Sequence, residues 1–191
     1  MTLLDTLYRL RLQIPLFFGL LLFYGSVGVW LGSMIFFGVG VAAPIFKILP
    51  SKDLAGTLNA VILQRLNLIE YISFCLLVIG LALCNRPVRG MIRTLPFVIA
   101  GIMLCITLWY AQGISPRMNT LKRTIVSFDT PQEQDAQAIS EFRSLHIVYS
   151  RLVGINAGLL LLLIVWQSAF LVSTPLYITT NSIDVSVQDD P

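Results

Sequence analysis

Between Arg11 and Lys47 the chain carries no charged residue, and the run from Pro15 to Phe46 is almost wholly apolar. About 20 such residues cross a bilayer as a helix. Hydrocarbon offers no water to the backbone, so a run of this length is expected to be helical and membrane-spanning. It also exceeds the 7–15-residue apolar region of a signal peptide, which predicts an uncleaved first span despite Arg9 and Arg11 ahead of it.

The rest of the chain has the same character. Hydrophobic residues make up 56% of its 191 positions and charged residues 12%, and the mean hydropathy is +0.81. These values exclude an ordinary soluble globule. The formal charge of +3 is spread between apolar runs rather than gathered in a patch, so the basic residues point to membrane orientation and not to nucleic acid. Cys75, Cys84 and Cys105 fall inside apolar segments without a CxxC, where a thiol behaves as a small hydrophobe.

Taken in order, residues 1–12 form a short amphipathic lead at the interface. Spans are expected at about 14–46, 65–84, 94–114 and 152–171, each long enough to cross. Ser51 is placed to N-cap the second helix, with Asp53 in its first turn. Thr130-Pro131-Gln132-Glu133 reads as a capping box opening a fourth helix that runs from Pro131 to Val172. The tail 173–191 is acidic and is expected to be disordered. Short links make the fold an all-α, up-down-up-down four-helix bundle. Helices 1, 2 and 4 overshoot the bilayer at the end that carries the 1–2 turn and the 3–4 loop.

Arg9, Arg11, Arg86, Arg89 and Arg93 lie at the other end with both termini, while Lys47, Lys52, Arg117, Lys122, Arg123, Arg143 and Arg151 lie at the overshooting end. The compact arginine loop and the first flank carry more weight and favour a cytoplasmic placement for the termini, in the inner membrane if the source is bacterial. Gly25, Gly28 and Gly32 share one side of helix 1. Their spacing suits close approach, either of a neighbouring span or of a second copy in a homo-oligomer, the former being the commoner use.

Glu70 leads the candidate functional residues, because an ionisable group within a span usually faces the bundle interior. It shares a stripe with Asn59, while Arg65 marks the interface. Helix 4 presents His146, Tyr149 and Asn156 on one face, and helix 3 presents Tyr110 and Arg117 with Asn119 close by. A cluster pairing Glu70 with Arg117 or Arg151, and His146 with Asn59 or Asn119, serves either as a polar network fixing helix register or as a ligand, ion or proton site.

With one histidine, no HxxxH or ExxH and no cysteine pair at ligand spacing, a transition-metal centre is not expected. Haem would need His146 plus Lys47 or Met118. Nucleophile elbows, P-loops and paired catalytic carboxylates are absent from the sequence, so a non-enzymatic transporter-like or interaction module is the first expectation. A haem- or quinone-binding redox protein and a purely structural membrane protein are the alternatives.

Ala43-Pro44-Ile45-Phe46, Ala55-Gly56 and the run LQRLNLIE at 63–70 resemble the transmembrane protein 205-like domain family. So do Ile114-Ser115-Pro116-Arg117-Met118-Asn119, Leu145-His146-Ile147-Val148-Tyr149-Ser150 and Asn156. The likeness covers about residues 20–172. It implies a four-span membrane domain and marks Arg65, Glu70, Arg117, His146 and Asn156 as residues to test. A more remote likeness links the chain to four-span haem-binding membrane proteins of the copper-resistance type, which typically use more histidines.

Overall fold

The computed structural model describes residues 3–85 and 91–173, with side chains over 13–85 and 94–172. Four long helices account for nearly all of it. Helix α1 (residues 3–48) begins as Leu3–Ile35, widens to a π-helix over Phe36–Ala42, and closes as Ala43–Ile48. Helix α2 is Lys52–Cys84. Helix α3 (residues 91–124) runs through Met91–Leu108, a π-helix Trp109–Ile114, and Ser115–Thr124. A 3-10 turn, Glu133–Asp135, leads into α4, Ala136–Ser173. Arginines of the 86–93 connection, side chains of the lead, and the acidic tail fall outside the described residues.

All four helices contain segments long and apolar enough to cross a membrane, and together they form the bundle of a four-span integral membrane protein. Phe17, Val39, Val98, Ile102, Leu161 and Val165 are among the large apolar side chains turned outward. That arrangement suits hydrocarbon and not water. The expected ends agree closely for α2, where Ser51 Oγ accepts from Asp53 N and Leu54 N. Helix α3 extends well past Ile114, so all four helices overshoot the span length at one pole.

Both π-helical stretches end just ahead of a proline, Pro44 or Pro116. In a regular α-helix the proline ring meets the carbonyl four residues earlier. The wider turn removes that clash and lets the helix continue.

Lipid supplies no hydrophobic force between helices, so close van der Waals contact must hold the spans together. Phe23, Val27 and Trp30 of α1 meet Leu77 and Leu81 of α2, Met103 of α3, and Leu160 and Leu163 of α4. The closest approach lies between Gly19 and Gly80. A Cβ on Gly80 would stand 2.6 Å from Phe23 N and 2.9 Å from Gly19 O. By contrast, a Cβ on Gly25, Gly28 or Gly32 would meet nothing within 4 Å. That stripe therefore does not pack against a neighbouring span, correcting the expected intramolecular use: the α1–α2 crossing occurs on another face, at Gly19.

The expected capping box at Thr130 does not form. Gln132 is extended, with φ −92° and ψ 158°, and makes no side-chain cap. The amides of Asp129 and Thr130 bond instead to Ser127 Oγ at 3.1 and 3.3 Å. Ser127 belongs to a clasp between the two loops of this pole. Ser51 Oγ donates to Asp129 Oδ2 at 2.7 Å and Lys52 N to Oδ1 at 2.9 Å. Reciprocally, Ser127 Oγ donates to Asp53 Oδ2 at 2.7 Å and Phe128 N to Oδ1 at 2.9 Å. Two Ser-x-Asp triplets thus exchange the same pair of hydrogen bonds, fixing the 3–4 loop over the start of α2.

Candidate functional site

Within the bundle a chain of polar groups joins three helices. Tyr110 OH on α3 donates to Glu70 Oε2 on α2 at 2.5 Å and lies 3.4 Å from Thr107 Oγ1. Thr107 Oγ1 also accepts from Asn156 Nδ2 on α4 at 2.9 Å. Tyr149 on α4 packs edge-on against Tyr110, with ring centroids 5.0 Å apart, and its hydroxyl donates to Asn67 Oδ1 at 3.4 Å. Glu70 is 3% exposed and Tyr110 and Asn156 are fully buried. Buried polar groups cost free energy unless they are paired, and the pairing here ties α2, α3 and α4 into one register.

Above this chain, at the overshooting pole, is a cavity of about 460 Å³. Tyr149 and Leu63 line its side nearest the spans, and Phe128 and Pro131 of the clasped loop line the opposite side. Its charged lining consists of Lys52, Lys122 and Arg143; no acidic side chain lines it. Lys122 Nζ donates to Thr57 Oγ1 at 2.8 Å. It crosses α2 at Gly56, where an added Cβ would stand 3.7 Å from Nζ. Asn59 lines the cavity as well, and its buried Oδ1 has no hydrogen-bond partner among the described residues.

Residues 25–127, just over half of the chain, match the family described as Domain of unknown function (DUF4149). The chain belongs to the DUF4149 family. No curated protein and no solved structure matches it. The DUF4149 segment holds the second half of α1, the whole of α2 and α3, the Ser51-Lys52-Asp53 half of the clasp and, of the other half, Ser127 alone. Arg143, His146, Tyr149 and Asn156 come from α4, outside that segment, so both the cavity and the polar chain are completed by a helix that the match does not reach.

The candidate residues separate into three groups. Glu70, Tyr149 and Asn156 enter the buried network, although Glu70 pairs with Tyr110 and not with Arg117 or Arg151. Arg117 points outward, where its Nε and Nη2 reach Glu141 Oε1 at 2.7 and 2.5 Å, and Arg151 is exposed. Asn59, Asn119 and His146 line the cavity together. Arg65 is exposed and joins neither set.

Asn67 and Thr107 escaped the sequence reading because neither is ionisable and each falls in a run resembling ordinary span. The cationic lining escaped it because Lys52, Lys122 and Arg143 are distant in sequence and converge only through the clasp. A visible signal for that convergence existed in the repeated Ser-x-Asp at 51–53 and 127–129. Among the described residues, no group of three His, Cys, Asp or Glu side chains could hold a metal ion.

Proposed function

We propose that this DUF4149 protein is a non-enzymatic, transporter-like or interaction module that binds a small molecule in the cavity of its overshooting pole. One observation carries the reading: the cavity combines a preformed volume, convergent cations and an unpartnered buried amide oxygen, the usual makings of a ligand site. Tyr149 connects it to the buried chain that holds the spans in register, so occupancy is coupled to the bundle beneath. The likeness to transmembrane protein 205-like domains belongs to the same reading. Its motifs fall on Asn119, His146 and Tyr149, which line the cavity, and on Glu70 and Asn156 below it. On this reading both termini are cytoplasmic, as the arginines at 9, 11, 86, 89 and 93 favour against the basic residues of the other pole, and the cavity is on the opposite face.

The test is a thermal-shift screen of the full chain in detergent, run beside Ala60→Trp, which fills the cavity. The reading expects compounds that raise the melting temperature of the native chain and leave the variant unmoved. Equal shifts in both proteins would refute it. A redox reading is favoured by one feature, that Met118 and His146 line the same cavity, whereas Lys47 lies outside the lining. A Soret band in the purified protein, lost in His146→Ala, would move the assignment to haem.

A further inference from the structure

The cavity walls divide by chemistry. Phe46, Leu63, Met118, Ile139 and Phe142 supply apolar surface, while Lys52, Lys122 and Arg143 supply positive charge. Arg143 makes no ion pair among the described residues, where the one such pair joins Arg117 and Glu141. A pocket with cations and no carboxylate favours an anion, and its field is strongest where low-dielectric walls exclude water. An inorganic anion would use the cations but leave the aromatic and aliphatic wall against water. A neutral lipid would use that wall but leave Arg143 unpaired, whereas Lys122 and Lys52 already have Asp53 and Asp129 near them.

The cavity's position sharpens the choice. With the spans expected to end near residues 65, 114 and 152, Leu63, Ser115, Met118 and Tyr149 lie within about 6 Å of these limits and Lys122 and Arg143 about 12–14 Å beyond them, so the cavity rises outward from the height of the bilayer interface. Molecules dissolved in one leaflet are concentrated at that height, with their charge in the headgroup layer and their chain in hydrocarbon.

From this division we propose that the cavity holds a single-chain anionic amphiphile, its carboxylate or phosphate head against Lys122 and Arg143 and its hydrocarbon chain along Phe46, Met118 and Phe142. The proposal rests on the cavity being a ligand site, as argued above. Asn59 Oδ1 is placed to accept a hydrogen bond from a hydroxyl or N–H near the head. Such a donor would satisfy the one buried lining atom left unpaired among the described residues.

The experiment uses the full chain in phosphatidylcholine nanodiscs, with palmitate carrying a photoactivatable diazirine as the probe and crosslinks mapped by mass spectrometry. Labelling is expected on residues 115–146 and is displaced by unlabelled palmitate or by lysophosphatidate. Hexadecanol and inorganic phosphate should displace it at least about tenfold less well, the scale of one lost charge-assisted hydrogen bond. Arg143→Gln, at an exposed position without an ion pair, should weaken palmitate displacement by a similar factor while leaving the melting temperature unchanged. If hexadecanol competes equally, or if phosphate alone protects, the amphiphilic anion is refuted. When Ala60→Trp abolishes labelling in that case, the cavity still stands as a ligand site. Labelling spread over the outward faces of the spans and untouched by Ala60→Trp would overturn both readings.

Discussion

The phenol of Tyr110 and the carboxyl of Glu70 meet at 2.5 Å in the interior of the bundle, joining α3 to α2. Both groups are buried, so removing one partner costs more than the net contribution of the bond. Tyr110→Phe removes the donor and leaves the carboxyl under-satisfied, which should cost about 1–3 kcal/mol. A double-mutant cycle with Glu70→Leu, read from denaturation in detergent, should give a coupling of about 0.5–3 kcal/mol. Additive effects would show that the two side chains do not stabilise one another.

Gly80 and Gly28 make opposite predictions. Gly80→Ala drives a Cβ into the backbone of α1 at Phe23 and Gly19, where no side-chain rotation relieves the contact. It should destabilise the bundle by about 1–3 kcal/mol, the usual penalty for overpacking. Gly28→Ala meets open space and should leave the melting temperature unchanged or slightly raised, since alanine favours the helix. A reversal of this order would mean that α1 packs through its other face.

Gln167 is 1% exposed, and neither atom of its amide has a partner among the described residues. Burying an unpaired amide is unfavourable. Gln167→Leu keeps the volume and should therefore raise stability by about 1–3 kcal/mol. A lower melting temperature would show that the amide is hydrogen-bonded in the membrane.

Asp129 responds to acid through the clasp. The Lys52 backbone N–H and the Ser51 hydroxyl hold its carboxyl below the ordinary aspartate value of 3.8. A carboxyl lowered by folding contributes stability that is complete above its unfolded value and is lost as the pH falls through the lowered one. The melting temperature of the native chain should therefore drop below about pH 4 more steeply than that of Asp129→Asn. Parallel curves would remove Asp129 from the account.

Legibility followed the kind of force involved. Hydrocarbon-length apolar runs are written contiguously, so the four spans and the shared overshooting pole could be read from residues 14–171. Ser51 could be read as a cap because it acts on its own next three residues. The failure at Thr130 has the opposite cause: a distant carboxylate, Asp53, competes for the loop through Ser127 and Phe128. Glu70 stood out by its cost in a span, but its partner did not. Arg117 and Arg151 suggested themselves by charge, whereas tyrosine, half apolar, reaches the interior more cheaply. The cavity needed three cations from three segments, and only tertiary structure brings them together.

The most direct test of the whole account is where the membrane ends along the helices. In a cysteine-free background, single cysteines at Gln137 and Ser140 should react with an impermeant maleimide from one side of intact vesicles, because the pole stands in water. Cysteines at Ile102 and Leu161 should stay unreacted, since those outward side chains face hydrocarbon. Free labelling at Ile102 or Leu161 would contradict the four-span bundle and the cavity built on it.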